Sequence, residues 1–260
     1  MPSVAEVRAV GQPESLHVAS GYEHWAGRLY MRRISPYVTR ALVATPISAN
    51  AVSALLLPTG LLAALSLTVS GIWGAVSAVL FAQVWLLLDC CDGEVARWRQ
   101  TFSARGVYLD ALSHSLTQAA LPAGLGIRAD GGWDSIGGWT ALGLLASLLV
   151  LAVSLESHLV HSVRARRGEP PLAADGGPRA ATVRHSRRLV GLVPFYRALN
   201  PIEATLLALG AAIVDAIVDD LIATRTLLVA LLVFAAVTAA GHLAVILSSD
   251  RLGSGFKTCD

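Results

Sequence analysis

The segment DCCDGEVARWRQTFSARGVYLDALSH, residues 89–114, decides the fold because a short charged connection within it joins two long apolar stretches. These stretches, at about 72–91 and 107–127, are each long enough to cross roughly 30 Å of hydrocarbon as a helix. The aspartates and the histidine inside them are expected to face the interior of a helix bundle, because lipid solvates charge poorly. The segment therefore predicts two neighbouring membrane helices that share a polar end.

The composition of the whole chain supports a membrane protein. Of its 260 residues 54% are hydrophobic and only 15% are charged, whereas soluble domains are usually about 45–50% apolar. The small net charge of +2 gives no support to nucleic-acid binding. The chain is therefore predicted to be an all-α integral membrane protein with six transmembrane helices, at about residues 50–70, 72–91, 107–127, 136–158, 202–219 and 226–248.

The positions of the basic residues predict the orientation. If the N-terminus lies in the cytosol, 18 of the 20 Lys and Arg residues fall on the cytosolic side, and only Arg128 and Arg225 fall outside. Cytosolic loops carry an excess of such residues, so both termini are predicted to be cytosolic.

The segment HWAGRLYMRRISPYVTRALVA, residues 24–44, mixes aromatic and aliphatic side chains with basic ones. This pattern is typical of a short juxtamembrane amphipathic helix on an anionic leaflet, although a solvated linker is an equal alternative. The predicted organisation is a cytosolic N-terminal and juxtamembrane segment (1–45), a six-helix domain (46–250) and a cytosolic tail (251–260).

The spacing of the acidic residues predicts a metal site. Asp89 and Asp92 are three residues apart and share one helix face, while Asp110 and His114 are four apart on the next helix. Three carboxylates concentrated at the cytosolic boundary repel one another unless a cation neutralises them. Oxygen ligands of this kind suit Mg²⁺ or Mn²⁺, which also bind diphosphates.

Three further residues of the segment complete the predicted site. Gly93 and Gly106 lack side chains where a ligand or the neighbouring helix must come close. Arg97 offers a planar set of donors for phosphate oxygens. Together with the aspartates they indicate a site for a metal-bound diphosphate.

These residues resemble the signature of the CDP-alcohol phosphotransferase family, D-x-x-D-G-x-x-A-R-x8-G-x3-D-x3-D, at seven of its eight positions. The segment TPISANAVS before the first predicted span also looks like the family's Pro- and Asn-containing approach to its first helix. The matching residues are Asp89, Asp92, Gly93, Ala96, Arg97, Gly106 and Asp110.

The resemblance implies an enzyme that transfers a phospho-alcohol group from a CDP-linked donor to an acceptor hydroxyl, with release of CMP. It implies metal ligands at Asp89, Asp92 and Asp110, and a further catalytic role for Asp110. The residues that it implies for the nucleotide and its diphosphate are Gly93, Ala96, Arg97 and Gly106. Asn50, where the first helix begins, is a further candidate for this group, although a polar residue at a helix N-terminus explains it equally.

The eighth signature position departs from the family, since His114 stands in place of the last aspartate. Three interpretations compete. His114 is a general base, which is the favoured one; a second metal is lost or weakened because imidazole is a poorer ligand for Mg²⁺; or the protein is inactive and only binds nucleotide or lipid.

Two other classes fit less well. A membrane prenyltransferase would need a second aspartate-rich motif, and an ion-coupled transporter would carry its acidic residues near the bilayer midplane.

The expected partners are a CDP-linked donor, CDP-diacylglycerol above all, a hydroxyl acceptor, membrane lipid and a second copy in a homodimer. An arginine-rich, lysine-poor composition favours a bacterial plasma membrane, with the active site facing the cytosol.

Overall fold

The described residues of the computed structural model, 1–13, 25–168 and 195–248, are helical with short connections and contain no strand. The tail from 251 and most of the arginine-rich loop predicted near 161–198 lie outside these residues. The helices are α1 (Val4–Gly11), α2 (Arg32–Val43), α3 (Ala49–Leu67), α4 (Ile72–Arg99), α5 (Ala104–Ala129), α6 (Gly138–Arg166), α7 (Pro201–Val218) and α8 (Ile222–Ser248).

Each of the six stretches predicted to span the membrane forms a helix, α3 to α8. Within the described ranges, five of these helices are long and apolar enough to cross a membrane, all except α5. α5 is a continuous helix of 26 residues, but Asp110, His114 and other polar side chains lower its hydropathy. A membrane crossing by α5 remains a prediction, as does the orientation of the bundle.

The other helices of the bundle pack mainly on α4 and on α5, which α3 bridges. α3 packs against both of them, α6 packs on α5, α7 packs on α4, and α8 contacts α6 and α7. Many of the buried apolar side chains are alanines and leucines, with Trp85 of α4 fully enclosed. The charged connection between α4 and α5 therefore lies at one end of the bundle.

Glycines set how closely the helices approach. A Cβ atom on Gly124 of α5 would lie 2.3 Å from the carbonyl oxygen of Ala64 in α3, and one on Gly143 of α6 would lie 2.5 Å from the carbonyl oxygen of Pro122. Neither contact leaves room for a side chain. Small residues at such crossings let backbones pack closely, which is a main source of helix association in membranes.

The opposite end of the bundle is joined by polar contacts between helix ends. Arg225 donates from Nε to the carbonyl oxygen of Ala129, and its guanidinium lies 5.6 Å from the Trp139 ring centre. Asp130 accepts hydrogen bonds at the start of α6, including one of 2.8 Å from the Thr140 backbone. Partial burial raises the pKa of Asp130, but the hydrogen bonds outweigh it and hold that pKa below its usual value.

The N-terminal part of the chain packs on the other end. α2 follows a π-helical turn, Gly27–Met31, without a break, and both α1 and α2 contact α4. Residues 32–43 are thus helical, and their placement on a membrane surface stays a prediction. α1 was not anticipated from the sequence, since a helix of eight residues carries too short a pattern.

Replacing Gly124 by Ala is expected to destabilise the bundle, because the new methyl group collides with the α3 backbone. Overpacking of this kind typically costs about 1–3 kcal/mol. The measurement is the thermal unfolding midpoint of purified protein in detergent. Gly210→Ala is the matched control, since no atom lies within 4 Å of its added Cβ; equal midpoints for the two variants would contradict the close crossing.

Candidate active site

A compact group of ionisable side chains lies where α4 and α5 meet. The Nε2 atom of His114 is 2.8 Å from Oδ1 of Asp89 on α4 and 3.3 Å from Oδ1 of Asp110, one turn earlier on α5. One potential ligand atom from each of the three residues lies within 4.8 Å of the others. Their side chains are 25–45% exposed, so the group is open to solvent on one side.

The imidazole of His114 is held in a fixed orientation. Its ring makes an edge contact with the ring of Trp85, with ring centres 4.6 Å apart. Trp85 is itself completely buried, and its indole N–H donates to the hydroxyl of Ser113 at 3.3 Å. This packing directs Nε2 towards the two carboxylates.

Asp92 lies outside this tight group. Its carboxylate accepts a 2.7 Å hydrogen bond from the hydroxyl of Ser53 on α3. The structure therefore gathers two of the three predicted carboxylates with the imidazole and ties the third to a neighbouring helix. Ser53 was missed by the sequence reasoning, although its position three residues after Asn50 puts both polar groups on one face of α3.

Arg97 folds back over its own helix. Both terminal nitrogens of its guanidinium would lie 3.0–3.1 Å from a Cβ atom on Gly93, so a side chain there would require the guanidinium to shift by a few tenths of an ångström. The Nε atom donates to the carbonyl oxygen of Gly11 at 2.6 Å. The N-terminal helix α1 thus fixes Arg97, the arginine of the signature. Gly11 and Arg97 are 86 positions apart in the sequence, so no local pattern indicates this contact.

The start of α5 forms a second polar contact region. The Ser103 hydroxyl accepts a hydrogen bond from the backbone N–H of Gly106 and donates to Oδ1 of Asn50 at 2.7 Å. A Cβ atom on Gly106 would lie 2.8 Å from that oxygen. Asn50 therefore links α3 to the first turn of α5, and Ala96 remains half-buried on α4, one turn beyond Asp92.

The other ionisable residues of the predicted spans have helix-joining roles. Asp215 accepts hydrogen bonds from the backbone of Ala223 and Thr224, which caps the start of α8. Glu156 of α6 and His242 of α8 are 2.8 Å apart. Glu203 lies in the first turn of α7, where a negative charge is favourable.

The donor set of the tight group fits a divalent cation. Two carboxylate oxygens and an imidazole nitrogen converge from two helices, and their separations allow one ion to contact all three. Asp92 is close enough in sequence to contribute a further oxygen from the same face of α4. Carboxylate and imidazole ligands suit Mn²⁺ well and Mg²⁺ through the oxygens.

The five apolar helices among the described residues indicate a multi-pass membrane protein, and its ionisable group lies at one end of the bundle. The sequence model of the CDP-alcohol phosphatidyltransferase family matches residues 46–186, more than half of the chain. The protein belongs to this family, whose members use divalent metal and carry out phospho-alcohol transfer in lipid synthesis. No curated protein matches the chain.

Metal binding is predicted to depend on the tight group. Asp89→Asn and Asp110→Asn are expected to weaken Mn²⁺ binding by more than about tenfold, because even outer-sphere partners of a metal contribute that much. Titration of Mn²⁺ followed by its electron paramagnetic resonance signal measures the affinity. Asp134→Asn, an exposed acidic residue at the far end, is the control, and an equal loss in all three variants would rule out a site at this group.

Proposed function

We propose that the protein transfers a phospho-alcohol group from a CDP-linked donor to an acceptor hydroxyl and releases CMP. The observation that carries this proposal is the convergence of Asp89, Asp110 and His114 within a signature segment of the family. A diphosphate donor needs neutralisation of its charge next to a group that accepts a proton. This group provides both in one place.

In the proposed reaction the acceptor oxygen bonds to the β-phosphorus of the donor, and the bond from that phosphorus to the bridging oxygen breaks. CMP leaves with the bridging oxygen, and the hydroxyl proton passes to a ring nitrogen of His114; in this role His114 is not a metal ligand, and carboxylates alone would hold the ion. A divalent ion, Mg²⁺ or Mn²⁺, held by Asp89, Asp92 and Asp110 would neutralise the diphosphate. Ser53 and Trp85 orient Asp92 and His114 for these roles.

The nucleotide is proposed to lie beside Arg97. In this position the guanidinium of Arg97 would donate hydrogen bonds to phosphate oxygens. Gly93 leaves room for that guanidinium against α4. Gly106 and Ala96 keep the adjoining surface free of bulk, and Asn50 holds the start of α5 through Ser103. Asp110, next to His114, helps to hold the transferred proton.

The donor is proposed to be CDP-diacylglycerol, because the candidate site opens at an end of apolar helices where a lipid tail can lie in the bilayer. The basic residues around this end favour a cytosolic active site in a plasma membrane. A homodimer is proposed from the family resemblance alone, because Gly143, Ala146 and Ser147 of α6 are already buried within one copy.

The reaction is tested by CMP release from purified protein in lipid, with CDP-diacylglycerol, Mg²⁺ or Mn²⁺ and a panel of alcohols. His114→Ala is expected to lower kcat by about 10²–10⁴, the usual contribution of a general base. Asp92→Asn is expected to lower it as well, and Asp134→Asn should retain it. Metal-dependent CDP binding without turnover would instead support an inactive binding protein, the alternative raised by His114 itself.

His114→Asp tests whether residue 114 accepts the proton in the reaction, because it restores the aspartate of the family signature. The variant is expected to remain active, with the acid limb of its kcat/KM profile moved to lower pH, since a carboxyl group is a stronger acid than imidazolium. His114→Asn is the matched variant without a basic group. Unchanged pH profiles in both variants would exclude proton transfer to this position.

A further inference from the structure

A second charged feature lies outside the candidate active site. An open cleft of about 320 Å³ is formed between the end of α1 and the start of α2. It is lined by Arg8, Gln12, Arg28, Arg32 and Arg33. Four guanidinium groups around one cleft repel one another, and an anion in the cleft would relieve that repulsion.

Three of the four arginines of the cleft have no acidic ion-pair partner among the described residues. No carboxylate in residues 1–13, 25–168 and 195–248 forms an ion pair with Arg8, Arg28 or Arg33. All three side chains are exposed. Arginine presents planar donors that match phosphate oxygens, so phosphate is the anion that this lining fits best.

The cleft is built by specific contacts, which an excess of basic residues alone does not explain. Glu94 of α4 is 1% exposed and accepts hydrogen bonds from Gln12 at 2.7 Å, Ser35 at 2.5 Å and Thr39 at 2.6 Å. The same Gln12 amide donates to the carbonyl oxygen of Arg32 at 2.8 Å. A buried carboxylate thus locks α1 to α2 and holds their arginines around one space.

Exposed apolar side chains are interspersed with the cleft arginines along the chain. Leu29, Ile34 and Tyr37 are 59%, 46% and 62% exposed on the same helical segment that carries Arg28, Arg32 and Arg33. Exposed apolar side chains next to arginines are the pattern of a protein surface at a lipid interface. The acyl chains of a lipid would suit these side chains when its phosphate occupies the cleft.

We propose that this cleft binds the phosphate headgroup of an anionic membrane lipid at the end of the bundle that carries the carboxylates. The site is separate from the proposed reaction and does not depend on it. Its acyl chains would lie along Leu29, Ile34 and Tyr37. Because α1 also holds Arg97 through Gly11, the bound lipid would fasten the helix that positions this arginine.

The test is native mass spectrometry of detergent-purified protein titrated with short-chain phosphatidylglycerol, short-chain phosphatidylcholine or inorganic phosphate. One saturable copy of phosphatidylglycerol is expected, with weaker binding of phosphatidylcholine and of free phosphate. The variant R28Q/R33Q is expected to weaken phosphatidylglycerol binding at least about tenfold, the loss that follows from removing charge-assisted hydrogen bonds. R28Q alone, which removes one exposed side chain, should show part of that loss and guards against misfolding of the double variant.

Two controls make the result specific. R105Q/R166Q removes two exposed charges from helices α5 and α6 outside the cleft and should retain binding. Asp110→Asn should also retain it, which separates the cleft from the active site. Equal binding of both lipids, equal binding of free phosphate, or an equal loss in a control variant would overturn the proposal.

Discussion

The structure depends on how ionisable side chains are satisfied among apolar helices. A carboxylate that loses water without gaining partners is strongly destabilising, and the three carboxylates near the end of α4 are met by groups from other parts of the chain. Asp89 faces His114 of α5, and Asp92 faces Ser53 of α3. Glu94 accepts hydrogen bonds directly from Gln12, Ser35 and Thr39. These contacts fix α1, α2, α3 and α5 around α4.

Close helix packing makes these contacts possible. At Gly60, Gly124 and Gly143 the neighbouring helix comes so near that no side chain fits. These crossings hold α5 close to α3 and α6, and α3 also packs on α4, so they help to place His114 of α5 opposite Asp89 of α4. Packing of small residues and polar chemistry are therefore parts of one arrangement, since the contact between His114 and Asp89 needs α5 to lie beside α4.

The N-terminal segment extends this arrangement beyond the apolar bundle. α1 is short, yet its Gly11 carbonyl accepts from Arg97 and the adjoining Gln12 reaches the buried Glu94. The end of α1 therefore helps to hold both Arg97 and the arginine cleft in place. A change at the lipid surface and a change at the candidate active site can both act through α1.

The sequence by itself determined the approximate positions of helices α3 to α8 and predicted a metal site in residues 89–114, because apolar length and residue spacing are local properties. It also identified the departure at His114. Only the tertiary structure decided which partner each polar group takes: Asp92 with Ser53, Arg97 with Gly11, Glu94 with Gln12. Such pairings join residues 39–86 positions apart, and they follow from how helices pack in space, which no local pattern records.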